Sequence, residues 1–250
     1  MGSIEVFPRR RGRAPPLPQA WRSTPLPGAA AIRVREARIE DFASLRSLHR
    51  RLDPPWPACS LKQLENRLHV FPAGQWVAES DGHVVGAASS LVVQWDDYGA
   101  DHTWRGITGD GSFSTHDSSG RTLYGAELLV EPSRRGYAIA RALVQARRKL
   151  CRQANLRRTM AAVPLVGYAA SGETISPELF AMRVVWGDLT QASMRLHIAL
   201  GFQYCGVLRG YLPEHEATHG HAALMAWINP MYAPPEPPAF EESERLRKCA

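Results

Sequence analysis

Apolar positions along the chain recur at two spacings, and the spacing separates strands from helices. Ile32-Arg33-Val34-Arg35 alternates as a strand does, and Phe42, Leu45 and Leu48 then mark one face of a helix. Ser60-x-x-Gln63 has the form of a capping box, in which each side chain satisfies the other residue's backbone N–H. It predicts a second helix with Leu61, Leu64 and Leu68 turned inward. Gln75 to Ser80 and His83 to Val93 read as strands joined by Asp81-Gly82, a strong hairpin signal. Residues 99–120, rich in Gly, Asp and Ser, read as a long loop. A strand over 123–130, a helix over 139–153 and a strand from Arg157 to Val163, stopping before Pro164, follow. Thr190 to Leu200 is a further helix with Gly201 placed to cap it. Gly201-Phe202-Gln203-Tyr204 leads into another strand, and Ala223 to Ile228 forms the last.

One junction in this series suggests chemistry. The apolar run from Leu123 ends at Val130-Glu131-Pro132; Ser133-Arg134-Arg135-Gly136-Tyr137-Ala138 follows, and helical spacing opens at Ile139-Ala140-Arg141. The first N–H groups of a helix lack internal partners and carry the positive end of its dipole. With small residues there, a phosphate can approach bare backbone, so the junction reads as a pyrophosphate cradle.

Composition changes this picture little. At 44% hydrophobic and 22% charged, 250 residues suit one sizeable globular core. The net charge of +6 resembles a nucleic-acid signal until it is located. Arg9, Arg10, Arg11, Arg13 and Arg22 against Glu5 place 5 − 1 = +4 of it in residues 1–30. Those residues read as a disordered Arg/Pro-rich tail, and residues 231–250 as a Pro-rich charged tail, around a body over 31–230. Cys59, Cys151, Cys205 and Cys249 are scattered and read as free thiols of a reducing compartment. No apolar run is long enough to span a membrane and no signal core is present, so a cytoplasmic, non-membrane location is expected.

The words at the junction resemble the GNAT acyl-CoA N-acyltransferases, whose motif Arg-x-x-Gly-x-Gly/Ala falls here on Arg135, Ala138 and Ala140. Ala138 departs from the usual Gly, and its methyl is tolerated if φ stays negative. Leu200-Gly201-Phe202 is a second landmark. The order of elements over roughly 31–230 is similar to the family's α/β plan, a mixed sheet of about seven strands flanked by helices. Residues 164–188 are extra, an inserted helical segment after the fifth strand opened by Ser176-Pro177-Glu178, and either a lid over the acceptor or plain elaboration. Together with His102-Thr103-Trp104 and Thr122-Leu123-Tyr124-Gly125-Ala126-Glu127, it resembles a bacterial subgroup in which such a module precedes a carbon–nitrogen hydrolase.

The resemblance implies acetyl-CoA, or another acyl-CoA, as co-substrate, and a small-molecule or peptide amine as acceptor. The acyl carbonyl and pantetheine arm would lie along Leu129 and Val130. The pyrophosphate would be held by Arg134, Arg135, Gly136, Tyr137, Ala138, Ala140 and Arg141. Glu127, beside the thioester, is the first candidate for general base, or else an ion-pair partner of an Arg. His197 stands at the family's Tyr position in Leu196-His197-Ile198-Ala199-Leu200-Gly201-Phe202. As imidazolium it would protonate the thiolate; as a packed residue it would not. Trp95 and Trp104, near His102 and His116, either flank the amine or plug the core; Tyr124 is a substrate contact or, like Tyr204, an alternative acid; Asp96 and Asp97 are rival bases or ammonium contacts.

His215-Glu216-Ala217-Thr218-His219 matches a zinc-protease word that needs a helix, but Pro213 and Gly220 leave barely two turns, so no metal site is expected. No Gly-x-Ser-x-Gly appears, which argues against an acyl-enzyme on Ser. Two other classes stay open. One is a non-catalytic acyl-CoA-binding module; the other is nucleic-acid or partner binding by the basic tail, with nucleic acid the less favoured. A homodimer also stays open.

Overall fold

Strand alternation and helix caps assemble into a seven-stranded sheet with helices on both faces, in a computed structural model describing residues 31–52, 56–99, 101–131, 136–171 and 174–234. In chain order the elements are β1 (Arg33–Glu36), α1 (Phe42–Leu52), α2 (Leu61–Val70), β2 (Gln75–Ser80) and β3 (His83–Val93). Then come α3 (Trp104–Thr108), β4 (Thr122–Val130), α4 (Gly136–Gln153), β5 (Arg158–Pro164), α5 (Pro177–Trp186), α6 (Ala192–Ala199), β6 (Gln203–Leu208) and β7 (Ala222–Ile228). The sheet order is β1-β2-β3-β4-β5-β7-β6, with every neighbouring pair antiparallel except β4 and β5. The expected α/β architecture is present. Among the described residues no helix is long and apolar enough to cross a membrane.

Local signals account for most boundaries. Ser60 and Gln63 form the capping box that starts α2, and Asp81 and Gly82 both take positive φ, as a type I′ hairpin requires. Ser176 caps α5, and Gly201, at φ 87°, follows the end of α6.

Several expectations need correction. Residues 99–120 are not all loop: Thr103 caps the short helix α3 by accepting from the Gly106 N–H. Leu61 is exposed and Arg67 is the buried residue of α2, because that helix turns Arg67 toward a carboxylate on β4. The helix after the junction opens at Gly136, three residues earlier than its apolar spacing suggests, and β5 includes Pro164. β5 is an interior strand between β4 and β7, and the segment after it packs beside β6, the edge strand at that end of the sheet. Its helix α5 buries Phe180, Ala181 and Val184 in a core shared with α6 and β6. At the C-terminal end, Asn155 exchanges hydrogen bonds with both the N–H and the carbonyl of Ala233, so the body runs past residue 230. The tail expected over 1–30, and the remainder of the second from 235, lie outside the described residues.

A register shift in the β3–β4 ladder controls which way the site residues point. Ser89 pairs with Glu127 and Ser90 with Gly125, which leaves Ala126 as an extra residue on β4. A bulge of one residue inverts the in–out alternation beyond it. Tyr124 and Ala126, and after the bulge Leu129, face the core beneath α1 and α3; Leu123 and Val130 face the core around α4 and α6. Without the bulge, Glu127 would point with Leu123 toward α4.

Candidate active site

β4 and β5 are paired only from Thr122↔Arg158 to Gly125↔Ala161. Beyond that rung β4 continues to Val130 on β3 alone, and β5 continues to Pro164 on β7 alone. The parallel pair therefore opens into a wedge with its apex at Gly125 and its mouth beside the first turn of α4. Gly136 and Tyr137 are half-buried there, Ala138 and Arg141 are exposed, and Ala140 is buried. Ala138 is helical and is not among the positive-φ residues, so its methyl meets the condition the sequence set. A Cβ added at Gly136 would make only ordinary contacts, 3.5 Å from the Glu131 carbonyl. Leu129 and Val130 line the β4 side of the wedge. Arg134 and Arg135 lie outside the described residues.

Glu127 is buried, at 6% exposure. Its Oε2 accepts from Arg67 Nη1 at 2.9 Å and its Oε1 from Arg67 Nη2 at 2.7 Å. Arg67 also donates to the Gly111 carbonyl at 2.7 Å and stacks 4.3 Å over Phe113. The pair is fully desolvated, and both carboxylate oxygens are occupied. The Cys59 thiol lies 3.8 Å from Oε1, and burial together with the Glu127 charge pushes it up to about 12, so it is no nucleophile at neutral pH.

His197 is buried on α6, at 4% exposure. Its Nδ1 is 2.7 Å from the Ser193 carbonyl, which only accepts, so Nδ1 carries the proton and Nε2 is a bare acceptor. Nε2 has no partner among the described residues. Burial first, and the positive charge of Arg147 second, push the imidazole down to about 4. Of the two readings left open for His197, the packed one fits this geometry: the ring is neutral at neutral pH, and its one proton is held on the Ser193 carbonyl.

The aromatic residues of the acceptor side are core. Trp104 is 1% exposed, donates from Nε1 to the Ala126 carbonyl at 3.3 Å and shares its core cluster with Tyr124 and Tyr211. Trp95 packs edge-on to His102, and the guanidinium of Arg158 stands 5.5 Å from its ring. Tyr124 is fully buried, with its hydroxyl 2.9 Å from His102 Nε2 and 3.0 Å from the Tyr211 hydroxyl. These three side chains plug the core rather than flank an open cleft. Asp96 and Asp97 are exposed past the end of β3, near the start of β4 and away from the wedge mouth. His215–His219 contains a single 3-10 turn with His219 left-handed, so the two His side chains do not share an α-helical face.

Sequence reading missed Arg67, Tyr211 and Arg147. Arg147 is 2% exposed; it donates from Nε to Ser90 Oγ at 2.9 Å and from Nη2 to the Ser89 carbonyl at 2.9 Å and to the Glu127 carbonyl. The signal for it was available, since Leu143, Val144, Arg147 and Cys151 share one helical face.

A sheet that opens beside a helix N-terminus, with a bulged strand on one side, can hold an extended chain with an anion at its head. The comparisons agree with this geometry. The chain is 28% identical over 210 residues to a Bacillus subtilis (strain 168) protein named probable hydrolase YhcX, covering 84% of this chain and 41% of that one. It thus spans less than half the length of that relative. A second relative from the same organism, named uncharacterized N-acetyltransferase YkwB, is 27% identical over 206 residues, covering 81% and 91% of the two chains. Among solved structures, the GphF GNAT-like decarboxylase in complex with isobutyryl-CoA superposes with a TM-score of 0.62 at 23% identity, covering 79% of this chain and 99% of that one. The acetyltransferase (GNAT) family model matches residues 39–170, from just after β1 to just past β5. With more than half its length matched, and with this sheet and this wedge, the chain belongs to the GNAT acetyltransferase family.

Proposed function

We propose that the chain transfers an acyl group, most simply acetyl, from acyl-CoA to a primary amine by direct attack in a ternary complex. The wedge between β4 and β5, ending at the open N-terminus of an eighteen-residue helix, is the observation that carries this reading. The pyrophosphate sits on the N–H groups of Gly136 to Ala140, with Arg134, Arg135 and Arg141 supplying charge. The pantetheine arm lies along Leu129 and Val130. The acceptor is a small molecule or a peptide end, and a cytoplasmic setting suits the free thiols. As a base, Glu127 takes its proton through water, because the carboxylate is buried and paired with Arg67.

The test is acetyl-CoA calorimetry on wild type and on Gly136→Asp with Arg135→Ala. The Cβ of residue 136 has room, so the body should fold while a carboxylate repels the phosphates. Micromolar binding that falls at least about tenfold in the variant is the expected result, an amine-library turnover screen then following. No binding of any acyl-CoA by wild type would remove the reading.

One observation favours a second reading. Trp95, Trp104, Tyr124 and Tyr211 fill the acceptor face of β4. An acyl-CoA that loses carbon dioxide needs no amine, and the GphF neighbour is named a decarboxylase. Release of carbon dioxide from a carboxyacyl-CoA, with no turnover of any amine, would select it.

A further inference from the structure

The inward stripe of α4 is apolar except at Arg147. Its guanidinium is bonded to two carbonyls and a hydroxyl, all neutral, and among the described residues it forms no ion pair. The Glu127 carboxylate serves Arg67 instead. The Glu127 charge still acts on Arg147 through space, but a buried cation with no anion in contact is costly, which makes the position of the charge informative.

That position is the apex of the wedge. Gly125 is the last residue of β4 paired with β5, and a methyl added there would come within 2.9 Å of Arg147 Nη1. From Gly136 to Arg147 along α4 is about 16 Å, and from Val130 back to Gly125 along β4 is about as far. An extended pantetheine arm whose pyrophosphate rests on the helix N-terminus spans this length and leaves its sulfur at the apex. His197 stands within the field of Arg147, and its one ring proton is held on the Ser193 carbonyl.

We propose that Arg147 carries the negative charge that develops on the CoA sulfur, in place of a proton donor on α6. This rests on the acyl-CoA reading above. As the amine nitrogen bonds to the acyl carbon, the C–S bond breaks and its electron pair passes to sulfur. The guanidinium pairs with the thiolate, and the nitrogen's proton goes to water. Because Nη2 also bridges the carbonyls of the paired Ser89 and Glu127, the rung next to the β-bulge, Arg147 stiffens the same apex, and the test must separate the two roles.

The probe is CoA itself, so no acceptor need be known. The bound thiol is titrated by thiolate ultraviolet absorbance in the wild-type chain, Arg147→Lys and Arg147→Met. Free CoA titrates near the ordinary thiol value of about 8.5. Wild type should hold the thiol at least about one pH unit lower, tenfold in acidity; Lys should keep most of that shift and Met should lose it. A wild-type bound thiol that titrates with free CoA, or a Met variant matching a lowered wild type, overturns the proposal. If the Met variant does not fold, Arg147→Gln takes its place, and a wild-type bound thiol that titrates with free CoA overturns the proposal by itself. Absence of CoA binding by wild type is a separate result that removes the acyl-CoA reading along with it.

Discussion

Glu127 and His197 show how far a side chain's neighbours decide its chemistry. Glu127 holds Arg67 with two short hydrogen bonds in a dry site. Removing one partner of such a pair leaves an uncompensated charge and costs about 3–5 kcal/mol. Glu127→Gln should therefore lower the denaturant midpoint sharply, whatever it does to turnover; an unchanged midpoint would mean the pair does not hold in solution. His197 titrates about 4 in the fold against an ordinary 6.5. Between those values the unfolded chain binds the extra proton, so the contribution is fully present above about pH 6.5 and is lost as pH falls toward 4. It amounts to about 3 kcal/mol. His197→Gln should flatten that acid limb of the stability curve, measured by urea unfolding from pH 7 to 4. The sequence allowed an Arg partner for Glu127 and a packed His197, but not which neighbours each would meet. Arg67 and Glu127 lie far apart in the chain, and the bulge that aims one at the other is a property of the ladder.

At the scale of elements the sequence was more readable, because caps and turns are local. Ser60 with Gln63, Asp81 with Gly82, Ser176 and Gly201 each did what their side chains or backbone freedom predict. The short helix α3 escaped because five residues among Gly, Asp and Ser give no periodicity, although Thr103 supplied its cap. Arg147 escaped because a long apolar stripe masks one charged position. The helix α5 is anchored by its packing. Phe180, Ala181 and Val184 belong to the core that also holds Met194 and Phe202. Phe180→Ala should cost about 3 kcal/mol, visible as a lower Tm in thermal unfolding. A lid resting on the surface would leave Tm unchanged.

For the molecule as a whole, the order of strands and the place of the family motif were legible, while the wedge was not, since no residue type announces where two strands cease to pair. The wedge is also an exposed margin in the middle of a sheet. Margins of this kind invite a guest strand, and an arm bearing two amides is a guest of suitable length. Loading the site should then knit the two halves of the sheet together, and product release should unpick them. Amide hydrogen exchange at Ala126 to Val130 and Ala162 to Val163 should slow at least about tenfold with saturating CoA, while α1 and β1 stay as they were. On that view the cofactor is a removable eighth strand, and each turnover mends and reopens the fold along a single seam.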